Sequence, residues 1–527
     1  MQMRAVASTT PASATDRLFY LAKGEPSRSL YGDWQTGHFD LVVNSTARRC
    51  GEALFEAAFR ERGWTRTCNG RSSGCTPNRT WVAVVSQELG PIGQQTFGLP
   101  EYVLHNADRR LAHRLWNKAN FGRAVERRAA SVGCSADAIV PRTITDVTSC
   151  SAYRAVAVAR NSSWVVKDPS KGLGNGLLFT TWQRLGPALA RACACDQRLS
   201  TSNASRTACY LAVLRGLASD GLAPPSLQKA MPYFDRQIED LRRYAQDRDA
   251  WRQQKQRIDA LLASPRRSIV VQQMVEPPLL LGGHRCSSRD YILHVRCGEN
   301  CEWMWLFRGY LMIARDAASS GTAASVATNL LHPTGNAAGQ PDSPATWAPW
   351  RAVFPELRER YGVPASLYRK MQASHRRALA GAALSQRADL AAGPPPHRRD
   401  RFGWTLYGSD IVFDAEGNAR VLEMNTTPQL FCTRQEGEEA CANPTTTPCS
   451  QPRNSAGLVG AVVDLLGCLS RATADAVAAG ATDSVRCACE CARTTKPNAH
   501  GGLADGPNLI YARGCESLVP EPARSCA

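Results

Sequence analysis

The sequence predicts a mixed α+β protein built from about three lobes. The chain has 527 residues, of which 43% are hydrophobic, and this length suffices for several lobes with substantial cores. Short apolar runs bounded by Gly, Asn, Asp and Pro predict strands, whereas apolar residues at helical spacing predict helices. No stretch approaches the ~20 consecutive apolar residues of a membrane-spanning helix, so we expect no membrane partner.

The expected lobes follow one another along the chain. The amino-terminal lobe begins with a strand at Phe39–Val43, and the helix after it has Phe55 and Phe59 on one face. A highly charged helix at Asp235–Leu262 is interpreted as a surface helix packed on one side rather than as a device for binding a partner. In order, we expect a flexible segment at 1–30, an amino-terminal α/β lobe at 31–150, a central lobe at 151–290 with a helical insertion at about 185–262, a carboxyl-terminal lobe at 291–470 and a Cys-rich tail at 471–527.

The carboxyl-terminal lobe is expected to supply paired strands. Two of them are Trp303–Phe307 and Tyr310–Ala314. Trp303 and Trp305 alternate along the first strand, which predicts that both rings pack in a core or an interface. His375 lacks the spacing of a metal ligand, so we expect it to make an ordinary polar contact.

The most informative stretch, Gly408–Leu430, predicts a hairpin. Ile411–Phe413 and Arg420–Met424 are expected to be two short strands around a turn. Glu423 interrupts an apolar run in the second strand, where an unpaired carboxylate would be costly to bury. A bound cation therefore explains Glu423 better than a solvated hairpin does.

Two registers of this hairpin are open. If Glu416-Gly417 is a two-residue turn, Asp410 lies opposite Glu423; if Gly417-Asn418 is the turn, Asp410 lies opposite Asn425. Glu423 and Asn425 share a face in either register, because side chains alternate along a strand. Directly opposed β-carbons are roughly 5 Å apart. That spacing suits oxygen ligands around Mg²⁺, which usually completes its shell with phosphate and water.

A second segment, Trp164–Leu177, combines an apolar strand ending in Lys167 with a loop containing Gly172, Gly174 and Gly176. Glycines let backbone N–H groups approach phosphate oxygens, and a lysine at the strand end supplies a point charge. The spacing fits neither the P-loop nor the dinucleotide-binding fingerprint.

The order and approximate spacing of these segments resemble the tubulin–tyrosine ligase-like family of ATP-grasp ligases. The other segments that carry the resemblance are Ile269–Val295, with Arg289 at the start of a strand, and Arg60–Trp64, RERGW. The resemblance covers roughly Phe55 to Leu430 and is most specific in its last block.

The resemblance implies an ATP-grasp fold with ATP between the central and carboxyl-terminal lobes. It implies a monomeric ligase that uses ATP and Mg²⁺ to join an amino acid (glutamate, or alternatively tyrosine or glycine) to a protein carboxylate, in tubulin tails, through an acyl phosphate. Two alternatives stay open. The chain is either a degenerate member that binds ATP or peptide without turnover, or a ligase for a non-tubulin or small-molecule acceptor.

The same resemblance assigns roles to individual residues. Lys167 holds the α- and β-phosphates, and Arg289 grips the carboxylate of the incoming amino acid; these two are the expected catalytic residues. The expected metal ligands are Asp410, Glu423 and Asn425. The expected nucleotide-binding residues are Lys167, Lys171, Gly174, Gly176, Gln272, Gln273, Met274, Val275, Arg285 and Asn329.

Four positions depart from the family pattern. Leu173 replaces a basic residue before the first key glycine of the flap, and Ser287 replaces an aspartate near the ribose. Val326 and Met312 replace a histidine and an arginine. Nucleotide binding follows from the resemblance, and full activity depends on whether these changes are tolerated.

Charge predicts an acidic partner. The chain has 63 Lys+Arg against 46 Asp+Glu, a formal net charge of +17, which attracts anionic surfaces. By the resemblance, the partner is an acidic protein tail of tubulin on microtubules in the cytoplasm. Nucleic acid is not expected, because no RNP, zinc-finger or basic-zipper pattern is present.

The cysteines favour a different compartment. The chain has 20 of them, and short-range pairs such as Cys68 with Cys75 and Cys297 with Cys301 predict disulfides. Cys193 falls in the expected insertion. Disulfides persist in oxidising compartments, so a secretory lumen or the cell exterior is the alternative location. The first residues lack the apolar core of a secretory signal.

Overall fold

The structure is a computed structural model that describes part of the chain. The described residues are 38–42, 55, 58–60, 65–68, 81–85, 102–105, 118–145, 147, 150–167, 177–198, 216–222, 228, 232, 236, 239, 269–297, 301–317, 348–349, 357–359, 361–391, 402–425, 459, 462–463 and 508–512.

The described part of the chain has a mixed α+β fold with two sheets, as the sequence predicts at this level. Its elements, in chain order, are β1 (His38–Val42), β2 (Thr65–Cys68), β3 (Trp81–Val85), β4 (Tyr102–His105), α1 (Lys118–Ser131), a 3-10 helix (Ala136–Ala138), β5 (Thr143–Ile144), α2 (Cys150–Val158), β6 (Ser163–Lys167), β7 (Leu177–Thr181), α3 (Trp182–Arg198), β8 (Val270–Gln273), β9 (Leu280–Leu281), β10 (His284–Cys297), β11 (Cys301–Ala317), β12 (Ala348–Pro349), α4 (Ala365–Ala391), β13 (Phe402–Phe413), β14 (Ala419–Asn425) and β15 (Asn508–Ala512).

The larger sheet has 11 described strands in the order β12-β11-β10-β13-β4-β3-β1-β2, with β14 on β13, β15 on β11 and β9 on β10. Its centre is the antiparallel set β11-β10-β13, whereas β1 to β4 pair in parallel and join it through β4 and β13. The expected amino-terminal lobe therefore continues into the sheet of the carboxyl-terminal lobe. The tail expected at 471–527 also contributes to this sheet, because β15 lies within it.

The expectation of two separate strands between Trp303 and Ala314 is wrong. Cys301–Ala317 is one continuous strand, and a register irregularity in β10 between Arg289 and Tyr291 lets the pairing continue along its length. Trp303 and Trp305 are fully buried, which confirms that their rings pack in the core.

The smaller sheet has the order β5-β8-β6-β7 and is antiparallel. Helices α2 and α3 contribute to one apolar core with it, which includes Val156, Trp164, Leu185, Leu189 and Val271. Burial of these side chains stabilises the layer by about 1.5–3 kcal/mol for each large apolar residue.

Three expected boundaries need correction against these elements. The insertion does not begin at about residue 185, because α3 is an integral part of the core of the smaller sheet. The boundary at 150 separates β5 from the sheet to which it belongs. The boundary at 290 falls inside β10, and the change from the smaller to the larger sheet lies between Gln273 and His284. The charged helix expected at 235–262 lies almost wholly outside the described residues.

A disulfide joins the first residue of α2, Cys150, to Cys193 in α3. Cys134 is also disulfide-bonded. The bond at Cys193 spans 43 residues and links two helices, so this cysteine does not belong to a polar insertion. Cys297 and Cys301 are directly opposed in register at the end of the β10–β11 hairpin.

No helix among the described residues is both long and apolar enough to cross a bilayer.

Gly417, in the turn between β13 and β14, is expected to resist substitution. Its φ is +80°, and an added β-carbon would lie 2.8 Å from Cδ1 of Leu367 and 3.0 Å from Cγ of Met371. Gly417→Ala should lower the free energy of unfolding by about 2 kcal/mol, through backbone strain and displaced packing. The matched control is Gly283→Ala, with a φ of +84° and nothing within 4 Å of the added carbon. Gly283→Ala should lower the free energy of unfolding, measured by urea denaturation, by only about 1 kcal/mol. Equal losses would contradict the packing of α4 on this turn.

The Cys150–Cys193 bond is expected to stabilise the smaller sheet together with helices α2 and α3. A double Cys150→Ala/Cys193→Ala variant should lose about 2–4 kcal/mol of unfolding free energy, because the cross-link restricts the unfolded chain. Thermal unfolding of wild type and variant, each with and without dithiothreitol, measures this difference. A variant as stable as wild type without reductant would contradict it.

Candidate functional site

A row of three charged residues crosses the centre of the larger sheet. Arg289 on β10 pairs in register with Asp410 on β13, and Asp410 pairs with Glu423 on β14. The Nε–H of Arg289 donates to Oδ1 of Asp410 at 2.5 Å. The two carboxylates are therefore direct cross-strand neighbours. This agrees with the expected register in which Asp410 lies opposite Glu423.

The turn that produces this register is neither of the two expected. The N–H of Asp414 donates to the carbonyl of Asn418 at 3.0 Å, and the N–H of Gly417 donates to the carbonyl of Asp414 at 2.9 Å. These bonds define a three-residue loop, Ala415 to Gly417, with the glycine in the left-handed region. Both Oδ atoms of Asp414 also accept from Asn418, which fixes the loop.

A β-bulge brings the carboxylates together. Phe413 pairs with Ala419, so an unbroken ladder would place Asp410 opposite Leu422, with Glu423 on the other face. The pairing instead shifts by one residue between Asp410 and Ile411. The extra residue turns Glu423 to the face of Asp410, and re-aiming a side chain in this way is a recurrent use of bulges near active sites.

Asn425 completes the oxygen cluster. It is two residues after Glu423 on the same face, and its Nδ2 donates to Oε1 of Glu423 at 3.2 Å. This bond confirms the shared face that alternation predicts. Asn425 itself pairs in register with Gly408, so the alternative register in which it opposes Asp410 is wrong.

Two lysines converge on the carboxylates from other elements. Lys118, in the first turn of α1, lies 3.1 Å from Oε2 of Glu423 through its Nζ. Lys167, at the end of β6, donates to Oε1 of Gln272 at 2.5 Å, and Gln272 in turn donates to Oγ1 of Thr143. The side chain of Gln272, one of the expected nucleotide-binding residues, therefore orients the ammonium group of Lys167.

Sequence reasoning missed Lys118. Nothing in its local pattern separates it from the rest of the 63 Lys and Arg residues, because it is one cation in the first turn of an amphipathic helix. Only the contact with Glu423, 305 positions later in the chain, identifies it.

The electrostatics of the cluster reflect burial and mixed charge. Burial alone would raise the pKa of Glu423, but Lys118 and Lys167 outweigh it and lower this pKa to about 2. The pKa of Asp410 is raised, chiefly by burial and by the neighbouring Glu423, although Arg289 acts in the opposite direction. Two carboxylates this close cannot both ionise readily unless a cation lies nearby.

Burial first, and then the charge of Lys118, lower the pKa of Lys167 to about 8, against the attraction of Glu423 and Asp410. The carboxylates around Lys167 therefore do not fully offset the loss of its hydration. A phosphate would add negative charge beside it.

The donor set fits Mg²⁺. Among the described residues, no group of three or more His, Cys, Asp and Glu could hold a metal. Asp410, Glu423 and the amide oxygen of Asn425, which share one face of the hairpin, are the oxygen donors that would hold a cation here. Hard oxygen donors and few protein ligands are typical of Mg²⁺, which keeps water and substrate phosphates in its shell.

Two backbone N–H groups of the expected nucleotide-binding segment Gln272–Val275 are already bonded within the fold. The N–H of Gln273 donates to the carbonyl of Arg142, and the N–H of Met274 donates to the carbonyl of Ser163. An adenine ring at this edge would be recognised through the remaining backbone groups.

Arg285 and Ser287 lie on β10, on the same face as Arg289 by alternation. Burial lowers the pKa of Arg285, and Glu276 opposes this shift. Ser287 is directly opposite Met312 in register, so two of the positions where the sequence departs from the expected pattern are cross-strand neighbours.

The remaining expected residues of the flap and of the substrate side lie outside the described residues. They are Lys171, Leu173, Gly174, Gly176, Val326 and Asn329.

Comparisons with known proteins add little to this geometry. No protein-family model matches the chain, and no curated protein matches it. Among solved structures, it is similar to the crystal structure of the C-terminal domain from K. lactis Pby1, an ATP-grasp enzyme interacting with the mRNA decapping enzyme Dcp2. The identity is 11%, the match covers 82% of this chain and 92% of that chain, and the TM-score is 0.41. At these values the likeness assigns neither a fold nor an activity.

The lowered pKa of Lys167 predicts a pH-dependent stability. Because its folded value of about 8 lies below its ordinary 10.5, the folded state binds fewer protons than the unfolded state between these two values. The free energy of unfolding should therefore rise as the pH increases from 8 to 10.5, by up to ~3 kcal/mol, and the contribution of Lys167 should be constant below pH 8, where both states are protonated.

Urea denaturation between pH 7 and 10.5 in metal-free buffer measures this effect. Lys167→Met should lose the rise relative to wild type. Lys370→Met, which removes an exposed lysine of α4, should keep it. Parallel curves for Lys167→Met and wild type would contradict the buried position of this ammonium group.

Proposed function

We propose that this protein is an ATP- and Mg²⁺-dependent carboxylate–amine ligase with an ATP-grasp fold. The observation that carries the proposal is the convergence of Asp410, Glu423 and Asn425 with Arg289, Lys118 and Lys167. They come from both sheets and from α1. Such a cluster suits a triphosphate held by a divalent cation and by point charges.

In this reaction, ATP phosphorylates a carboxylate of the acceptor, and the amine of an amino acid then displaces phosphate to form an amide. Lys167 and Lys118 hold the phosphates and stabilise the charge of the transferring phosphoryl group. Gln272 holds Lys167 in place, and Arg289 orients the carboxylate of the incoming amino acid. Bound Mg²⁺ would neutralise phosphate charge at Asp410, Glu423 and Asn425.

The acceptor in the leading version is an acidic protein tail, such as that of tubulin. The net charge of +17 supports an anionic partner. The resemblance of the sequence to tubulin–tyrosine ligase-like enzymes supports tubulin, with glutamate as the first amino acid to test and tyrosine and glycine as alternatives. In this version of the proposal, the protein acts as a monomer on microtubules in the cytoplasm.

A second candidate is the same chemistry on a different acceptor in an oxidising compartment. The Cys150–Cys193 bond and the disulfide-bonded Cys134 favour it, because disulfides are rare in the cytosol. In the leading version, tubulin should gain mass when it is incubated with enzyme, ATP and one amino acid. In the second, bulk secretory protein should gain mass instead.

Glu423→Gln is expected to reduce ATP-dependent product formation at least 100-fold, roughly the effect of losing one group that stabilises a transition state. The measurement is mass spectrometry of tubulin and of bulk protein after incubation with Mg·ATP and each amino acid in turn. The matched control is Glu416→Gln, the same change at an exposed position in the turn of the same hairpin, which should keep wild-type rates.

Three outcomes separate the candidates. Normal product formation by Glu423→Gln would contradict the proposed mechanism. Thermal stabilisation of wild type by Mg·ATP, without ADP release in any combination of amino acid and acceptor, would favour a binding protein without turnover. Product on small molecules alone would favour a metabolite ligase.

A further inference from the structure

Helix α4 contacts three of the elements that carry the proposed site. It packs against the β13–β14 hairpin, against α1, and against β10 through a buried polar pair. The smaller sheet supplies Lys167 separately. The contacts of α4 therefore help to position Arg289, the hairpin carboxylates and Lys118 relative to one another.

The first contact is between His375 of α4 and Asp290 of β10. Nε2 of His375 lies 2.7 Å from Oδ2 of Asp290, and the two side chains are 2% and 0% exposed. An ionised carboxylate only accepts hydrogen bonds, so Nε2 is the donor. The ring of His375 also stacks on Phe413, the last residue of β13.

This pair lies directly behind the charged row. Asp290 follows Arg289 in the chain and is opposite Ser409, the residue before Asp410. Consecutive residues of a strand point to opposite faces, so Arg289 meets Asp410 on one face while Asp290 meets His375 on the other. The polar pair thus ties α4 to β10 at the position where β10 contributes to the site.

The second contact holds the bulged hairpin. Oγ of Ser374 accepts from the N–H of Ala419 at 2.6 Å, at the first residue of β14. Leu367 and Met371 pack against Gly417 in the turn. Ser374, the residue before His375, therefore holds the first residue of β14, the strand that carries Glu423.

The third contact reaches α1. Nε2 of Gln386 donates to the carbonyl of Phe121 at 3.3 Å, less than one turn after Lys118. Helix α4 thereby also fixes the end of α1 that supplies a cation to Glu423.

We infer that His375 and Asp290 are positioning residues that hold β10 and the bulged hairpin in the register the site requires. This inference rests on the proposed function. A buried polar or ionic pair often stabilises a fold no more than apolar side chains of similar volume would, and its best-attested role is to specify one arrangement. The His375–Asp290 pair is in a position to do this, because it lies on the opposite face of the sheet from Arg289 and Asp410.

The same helix offers a matched control. Arg387 lies 12 positions after His375, about 18 Å along the helix, and its Nε donates to Glu302 of β11 at 2.8 Å. Glu302 also bonds His294, and its interactions with His294 and Arg387 lower its pKa to about 2 against the effect of burial. This second pair fastens α4 to the same sheet but lies away from the charged row.

The experiment compares two double variants of the full chain. Asp290→Val/His375→Leu removes both members of the first pair and leaves no unpaired charge. Glu302→Gln/Arg387→Met removes the ion pair of the second and keeps an acceptor for His294. Thermal unfolding, kcat and the KM for Mg²⁺ at saturating ATP are measured for each, at temperatures where circular dichroism shows a folded protein.

The first double variant should lower kcat or raise the KM for Mg²⁺ by about 10-fold or more, as the loss of outer-shell support does at metal sites. The second should lower Tm but keep both kinetic constants. His375→Gln, which keeps an N–H donor near the position of Nε2, should restore most of the activity. If the first double variant does not fold, Asp290→Ala, which removes the acceptor of this bond, carries the same test through the KM for Mg²⁺, with the same expected rise.

Unchanged kinetic constants in the first double variant, or equal kinetic losses in both, would overturn the inference while leaving the ligase proposal intact. Wild-type protein without any Mg·ATP-dependent product or stabilisation would overturn the proposed function and this inference with it.

Discussion

The site depends on one constraint: Asp410 and Glu423 lie side by side, each only about one-fifth exposed, and need positive charge around them. A largely desolvated carboxylate is costly unless a cation or hydrogen-bond donors compensate for its lost hydration. The fold meets this requirement with Arg289 on one side and Lys118 on the other. The surrounding elements, α1, α4 and the bulged hairpin, can be understood as the means of holding these charges together.

Charge balance also explains why a metal and a polyphosphate would bind together. Three cations face two carboxylates in the cluster, so a divalent cation alone would add to an excess of positive charge. A triphosphate alone would lie against two carboxylates. Bound as a pair, they leave Lys167 beside negative charge, which opposes the lowering of its pKa by burial and by Lys118.

The sequence predicts those parts of the site that follow from local periodicity. Alternation is enough to put Glu423 and Asn425 on one face, and an apolar run is enough to place Lys167 at a strand end. The bulge is not predictable in this way, since one extra residue changes the face of Glu423 without a local signal. Lys118, the His375–Asp290 pair and the Cys150–Cys193 bond depend on contacts between distant segments, which composition does not encode.

The ion pair between Lys118 and Glu423 has a consequence for biosynthesis. A ribosome releases the chain from its amino terminus, so α1 and the smaller sheet emerge long before β14 does. During that interval neither Lys118 nor Lys167 has Glu423 as its counter-charge. The ion pair that joins α1 to β14 therefore cannot form until about four-fifths of the polypeptide has been translated.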